Sequence, residues 1–569
     1  CASVCPVGAM AKTPEGPVVY DDSKCIGCRY CMLACPFGIP KFEWEAALPL
    51  VRKCTFCPDR QAMGLAPACV TTCPTGTLLF GERADLLKEG QRRIRSNPGK
   101  YVNSIYGQEE AGGASMLYLS GVSFGEMGFN MQVPKEPLPP LTWNYISHIP
   151  HVIAGVIAFG DPPERSPYRH APPGTATAAA APGGEGGGAM KSNEDIKIMT
   201  PLTKGLIAVM LIAAAVTFYR LGMGLGASTN LNDNFPWGLW LGVDVLGGVA
   251  MAAGGFIIAS MVYLFNLKKY RPIVRPAILT AFIGYLLAIV ALFLDIGQPQ
   301  RLWHPAVFWQ VQSVMWVVAI HVILYTTTLA LEFSPMLFER LNMPRAVSAV
   351  QKIIVPVVLF GALLSVLHQS SLGAVFLIAP GKLSPLWYSA KLPFLFLVSA
   401  VMMGLAMVSL ETIISSRAFR HPVDMSIFSG LAKISLWVII FYLALKIYLL
   451  VAGPGLAAAF NGSMEANMYL LEIIGGVVVP LGLLVGTKLK ENLNGILAIN
   501  VLVIAGVLLN RVNVCIFGLY RANAATGRSY FPSWMEFAIT AGLIALAVFI
   551  FKMAAKHLPL LSPDTESAH

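Results

Sequence analysis

Beyond residue 203 the chain is a near-continuous series of apolar runs, each close to the twenty or so residues that a helix needs to cross a bilayer's hydrocarbon core at about 1.5 Å per residue. The runs fall at about 203–226, 236–265, 273–296, 311–333, 350–370, 389–416, 427–452, 466–487, 493–513 and 534–556. Charged residues are only 13% of the 569 and the mean hydropathy is +0.63, too apolar for an ordinary soluble protein of this size. The formal charge of +10 is spread through short loops, which marks membrane orientation and excludes a nucleic-acid face. Lys268, Lys269, Arg271 and Arg275 follow the second run. Later alternate loops hold Arg340, Arg345, Lys352, Arg417, Arg420, Lys488 and Lys490, and the tail begins with Lys552 and Lys556. The opposite loops carry few, among them Arg301, Lys382, Arg521 and Arg528. The positive-inside rule puts the richer set, and both ends of this unit, in the cytoplasm.

Ten of the eleven cysteines precede residue 75. Cys25, Cys28, Cys31 and Cys35, followed by Pro36, are spaced as in bacterial ferredoxins, where three thiolates hold one 4Fe-4S cube and the fourth ligates the other cluster of a pair. Cys1 and Cys5 end a partner motif closed by Pro6. One cluster is therefore expected on Cys5, Cys25, Cys28 and Cys31, and a second on Cys35, Cys1 and two cysteines upstream of the chain's start. Cys54, Cys57, Cys69 and Cys73 form a further set, similar to the fourth motif of a four-cluster ferredoxin subunit, whose exchange partner would also lie upstream. Zinc and disulfides are the competing uses, and the short steps fit a cube better. Cys515, alone in an apolar run, reads as a core residue.

These patterns divide the chain into a truncated ferredoxin-like domain (1–111), an extended Gly- and Pro-rich strap (112–142), an anchor helix (143–160), a low-complexity linker (161–190) and a membrane domain (191–569). The anchor contains two histidines and Pro150, and an interfacial or buried helix is the alternative. Met190 reads like an independent start, so two subunits are joined here, by gene fusion or by assembly. The fold class is an α+β ferredoxin-like domain followed by an all-α bundle of about ten membrane helices. If 143–160 crosses, the clusters lie in the periplasm and the chain is a multi-pass protein of the inner membrane.

Ionisable residues inside spans are costly, and each is a pathway candidate. His368 lies toward the outer end of the fifth run, beside Gln369, Ser370 and Ser371; Asp244 and His321 are roughly 12–15 Å below the outer face. Asp295, His304, Glu536 and Arg220 lie at outer ends or loops. A quinone head needs hydrogen-bond donors at its carbonyls and a proton source, which such a group can supply. Each has a plainer reading as a helix contact or a paired aspartate. Glu332, Glu411, Lys446 and Glu472 could relay protons or simply form ion pairs. The Gly247–Phe256 stretch reads as close helix packing.

The segments NDNFPWGLWLGVDVLGGVAMAAGGF, FNLKKYRPIVRPA, ALEFSPMLFERL, LLSVLHQSSLGAVFLIA, LSPLWYS and YFPSWMEFAIT together resemble the NrfD family of quinone-interacting membrane subunits, in particular the ten-helix member that serves periplasm-facing nickel-iron uptake hydrogenases. Residues 1 to about 160 resemble that enzyme's four-cluster ferredoxin subunit. The resemblance implies that hydrogen is oxidised on separate large and small subunits, and that electrons pass through the clusters to menaquinone or ubiquinone in the membrane subunit. It carries His368 and Asp244 over as quinone-pocket or proton-path residues. Val317 and Val318 stand where some relatives have an acidic residue; His321 could substitute. Two other readings compete: the same module serving a molybdenum oxidoreductase of sulfur or nitrogen compounds, in the reverse direction from quinol, and a non-redox transporter with a vestigial ferredoxin.

Overall fold

The computed structural model describes residues 1–159, 198–419, 424–486, 488–524 and 527–560. The linker and the methionine read as a start lie outside these residues. Among the described residues, ten helices are long and apolar enough to cross a membrane: α1 (Pro201–Met223), α2 (Trp240–Tyr263), α3 (Lys268–Asp295), α4 (Val314–Arg340), α5 (Pro344–Ile378), α6 (Leu392–Phe419), α7 (Met425–Ala452), α8 (Met464–Gly486), α9 (Leu493–Asn523) and α10 (Trp534–His557). The chain is thus a polytopic membrane protein, as its hydropathy predicts.

The helices begin where the sequence offers a capping oxygen. The side chains of Thr200, Ser313, Asp424, Ser463 and Asn492 accept from backbone N–H groups at the starts of α1, α4, α7, α8 and α9. Ser533 and Glu536 form a reciprocal capping box on α10. Helix α5 overruns its expected limits at both ends, so Arg345 and Lys352 stand on the helix and not in a loop. A 3-10 turn, Val375–Ile378, prolongs it past the HQSS segment.

Small residues set the packing. A β-carbon on Gly254 of α2 would lie 2.8 Å from the Gly404 carbonyl oxygen of α6, so side chains there would force these backbones apart. Residues Trp240–Gly247 of α2 and Ile474–Val478 of α8 are wound as π-helix.

The N-terminal domain is small and mixed. Strand β1 (Met10–Lys12) pairs antiparallel with β2 (Val18–Tyr20), and β3 (Lys41–Phe42) with β4 (Val51–Arg52); the five-residue helix Tyr30–Ala34 carries Cys31. The strap passes back over this domain. Asn130 donates to the Pro36 carbonyl at 3.2 Å, and Tyr106 packs edge-on against Phe129 and tilted against Phe124. The segment expected as an anchor is described as two helices, Pro139–Ile146 and Ile149–Phe159, with a break at Ser147 and His148. The second piece has 11 residues, roughly 16 Å of rise, about half a hydrocarbon core.

Candidate functional site

The Cys25–Cys31 loop turns on two left-handed residues, Gly27 (φ 69°) and Arg29 (φ 62°). Cys5, Cys25 and Cys31 are buried and Cys28 half-buried. Two sulfurs already accept backbone N–H groups, Cys5 from Ala9 at 3.2 Å and Cys25 from Gly27 at 3.4 Å. Burial pushes the Cys28 thiol up to about 12 and raises Cys25 and Cys31, and the charges of the four cysteines act on one another. Mutually close thiolates in such a place call for a cationic core, which an iron-sulfur cube supplies. Among the described residues no three His, Cys, Asp or Glu side chains converge on one ion. In a cube each thiolate holds a different iron, and four cysteine thiols gathered at one buried loop, two of them already accepting backbone N–H groups, are the donor type it takes. Cys1, Cys54 and Cys69 are exposed, and Cys35, Cys57 and Cys73 half-buried, all outside the buried group.

That loop is pressed onto the bundle at the ends of α2, α3 and α5 away from Lys268 and Arg271. Gly297 and Gln298, just past α3, donate backbone N–H groups to the Gly27 and Ile26 carbonyls at 3.1 and 3.0 Å. A β-carbon on Gly27 would lie 2.8 Å from the Gly297 α-carbon, so only glycine allows this approach. The Arg29 guanidinium is wholly buried and meets Asp295 twice at 2.6 Å, once at the carboxylate and once at the backbone carbonyl. Trp237 donates to the Cys28 carbonyl at 3.0 Å and stacks on Tyr30, whose hydroxyl donates to the Val375 carbonyl at 2.9 Å. Ser313, the cap of α4, also donates to the Val4 carbonyl at 2.7 Å. Lys382, in the α5–α6 loop, donates to the Met32 carbonyl at 2.8 Å, and burial pushes its ammonium down to about 8.

Four of the polar residues expected along a pathway belong to this seam or brace it. Asp295 is held by Arg29; Arg220 donates to the Leu294 and Ile296 carbonyls at 2.9 and 2.7 Å; His304 contacts the Lys24 carbonyl at 2.9 Å. Glu536 accepts from the Ser533 and Asn230 backbones and from the Tyr530 hydroxyl. Asp244 lies in the π-turn of α2 and accepts from Thr540 of α10 at 2.7 Å. Gln369 donates to the Val249 carbonyl of α2 at 2.8 Å.

His368 and His321 do come together. Their rings stand 6.3 Å apart, with Tyr285 5.6 Å from His368 and Tyr325 4.7 Å from Tyr285. His368 is wholly buried and neither of its nitrogens has a hydrogen-bond partner among the described residues, while the two tyrosine hydroxyls lie beside Ser365. Polar atoms so placed can accept or pass a proton. Glu332 and Glu411 are also buried without full pairing. Lys446 and Glu472 instead form a closed group: Glu472 accepts from Lys446 at 2.9 Å and from Asn510, Asn513 and Trp387 at 2.8 Å each. That is the ion-pair reading of these two residues.

Arg29, Tyr30, Trp237 and Lys382 carry the seam, and reading the sequence for pathway residues missed their role in it. The one local signal was an arginine inside a cysteine loop whose neighbours are all apolar or ligands.

Residues 227–523 match the family model described as polysulphide reductase, NrfD, and residues 1–83 match a 4Fe-4S dicluster domain. Over 369 residues the chain is 31% identical to the probable Ni/Fe-hydrogenase 2 b-type cytochrome subunit of Escherichia coli K12, covering 63% of this chain and 92% of that protein. It is 28% identical over 375 residues to the menaquinone reductase integral membrane subunit of Nitratidesulfovibrio vulgaris, covering 61% and 88%. The N-terminal part is 36% identical over 161 residues to the hydrogenase-2 operon protein HybA of E. coli O157:H7, covering 24% of this chain and 48%, about half, of that relative. With a ferredoxin-type domain docked on a ten-helix bundle, and a family model that spans more than half of its residues, the chain belongs to the NrfD family.

Proposed function

We propose that the chain conducts electrons between a catalytic partner and a membrane quinone, through a 4Fe-4S cluster held by Cys5, Cys25, Cys28 and Cys31. Cys35 and Cys1, and the set Cys54, Cys57, Cys69 and Cys73, are proposed as ligands of further clusters. Bound iron-sulfur supplies one-electron transfer. The chain's own residues bury the loop, aim it at the bundle through Tyr30 and Trp237, and place Lys382 as a positive charge beside it. His368, His321 and Asp244 are the groups proposed to hold and protonate the quinone in the cluster-facing half of the bundle.

The observation that carries this reading is the seam: the Cys25–Cys31 loop sits on the end of the bundle that is poor in Lys and Arg, with Tyr30 bonded to the end of the helix that carries His368. By the charge rule that end faces the periplasm, across an inner membrane. The relatives include subunits named for hydrogenase and for menaquinone reductase, and the family model is named for polysulphide reductase. This range favours a module that serves oxidoreductases of sulfur or nitrogen compounds as well as hydrogenases, over a role confined to hydrogen; the hydrogenase large and small subunits are the partners in the narrower reading. To test it, the full chain, loaded with iron and sulfide in nanodiscs, is reduced with dithionite and mixed with menaquinone. Return of the cluster's visible absorbance with formation of quinol is expected; a cluster that stays reduced refutes the proposal.

A further inference from the structure

Three charged side chains lie together where the Cys25–Cys31 loop meets the bundle. Arg29, on the loop, meets the Asp295 carboxylate at the end of α3 at 2.6 Å. Arg220, near the end of α1, donates to the Leu294 and Ile296 carbonyls on either side of Asp295, at 2.9 and 2.7 Å, close enough for its charge to act on both Asp295 and Arg29. Two guanidiniums thus share one carboxylate. Both arginines are wholly buried and Asp295 nearly so, and the Phe42 and Trp44 rings stand 5.7 and 6.0 Å from the Arg29 guanidinium. Arg29 Nε, Arg220 Nη1 and Asp295 Oδ1 have no hydrogen-bond partner among the described residues.

Fastening alone does not call for this set. One guanidinium closes the contact with Asp295, and a neutral side-chain amide could donate to the Leu294 and Ile296 carbonyls without the cost of burying a second cation. The nearest other carboxyls are engaged elsewhere: Glu536 by the Ser533 and Asn230 backbones and the Tyr530 hydroxyl, Asp244 by Thr540. Lys382 and Arg301 reach the loop from its rim, at the Met32 and Cys25 carbonyls. What a surplus of buried positive charge matches is negative charge on the other side of the loop. Four thiolates around an iron-sulfur core carry a net negative charge, greater by one unit when the cluster is reduced. Arg29 stands between Cys28 and Cys31, so the cationic end of the group is the end nearest the ligands.

We propose that Arg220, Asp295 and Arg29 form a fixed electrostatic bias on the cluster of Cys5, Cys25, Cys28 and Cys31, in which the two guanidiniums favour its reduced state and Asp295 moderates them. All three are positioning residues, and the proposal rests on the electron-conducting reading above. The cluster takes up one electron, with no bond made or broken and no proton taken up in the seam. Because Arg220 and Asp295 belong to the membrane domain, the full bias acts only while the loop is seated on the bundle, and the cluster holds its electron best where the bundle can receive it.

The test is an EPR-monitored redox titration of the full iron-loaded chain in phospholipid nanodiscs. A unit charge on the order of 10 Å from the cluster, in a protein-like medium, changes the ratio of reduced to oxidised cluster at a fixed potential by about three- to tenfold, tenfold being about 59 mV for a one-electron couple. Arg220→Met is expected to lower the ratio by about that factor, and Asp295→Asn, which keeps the shape and the acceptor for Arg29, to raise it by a similar one. Arg220→Lys, which keeps the charge, is expected to stay within about twofold of wild type. Opposite shifts from two neighbouring residues are not the mark of a loosened seam, which would move both variants the same way. If the potential of Asp295→Asn is unchanged or lower, or if Arg220→Met matches wild type, the proposal is overturned. Should Arg220→Met fail to assemble, Asp295→Asn decides alone. The electron-conducting reading is tested separately in the wild-type sample: a cluster that titrates and is oxidised by menaquinone upholds it whatever the variants do, and a reduced cluster that passes no electrons to menaquinone refutes it.

Discussion

Arg29 lies in a left-handed backbone conformation, between a ligand cysteine and the tyrosine that touches α5, with its whole side chain out of water. Such a group is tolerated because Asp295 supplies a carboxylate and a carbonyl at 2.6 Å each. A buried pair of this kind need not stabilise more than apolar residues of the same volume, but breaking it leaves one charge unpaired, at about 3–5 kcal/mol. Arg29→Met is therefore expected to loosen the seam by about that amount, and Arg29→Met with Asp295→Leu to recover part of it. Hydrogen exchange over residues 25–34 measures both; equal protection in the single variant and wild type contradicts the assignment. Lys382 acts through charge. Its ammonium, bonded beside Met32, favours the reduced and more negative cluster, so Lys382→Met is expected to lower that cluster's midpoint potential by on the order of 50 mV, from Coulomb attraction over roughly 10 Å in a protein-like medium. An EPR-monitored redox titration reads the shift, and an unchanged or higher potential counts against it.

At the level of elements, two short stretches decide how the parts meet. The Cys25–Cys28 loop and the 296–298 turn approach so closely that Gly27 has no substitute. Gly27→Ala adds a β-carbon 2.8 Å from the Gly297 α-carbon and a left-handed penalty of about 1–2 kcal/mol. The expected result is faster proteolysis of the N-terminal domain from the bundle, with slower cluster oxidation by quinone. In the second half of the bundle, Glu472 joins α7, α8, α9 and the α5–α6 loop through four donors. Glu472→Ala strands Lys446 and is expected to cost about 3–5 kcal/mol, seen as a lower thermal midpoint in detergent with the cluster EPR signal intact. The ten spans were legible in the sequence because each is specified by its own apolar residues. Where α5 and α9 run on past the apolar stretch, into HQSS or CIFGLY, hydropathy fades while the helix continues. The break at Ser147 and His148 was signalled only by the histidines and Pro150 nearby.

Across the whole chain, the charge bias of the loops and the order of the domains together pointed to one end of the bundle, and the structure puts the Cys25 loop there. What the sequence could not separate was fastening from pathway. Asp295, Arg220, His304, Glu536, His368 and His321 all look like pathway residues in the chain; the first four find partners in segments remote in sequence or in turns that only folding creates, whereas His368 is left buried with no hydrogen-bond partner among the described residues, beside His321 and Tyr285. Electron transfer as proposed depends on an iron-sulfur cluster lying against the basic-poor end of the bundle. It is tested most directly by placing a nitroxide at Ala390, in the α5–α6 loop, or at Lys268, at the opposite end, and measuring how far the reduced cluster speeds its spin relaxation. Strong enhancement at position 390 with little at 268 is predicted; the reverse order, or none at 390, contradicts the account.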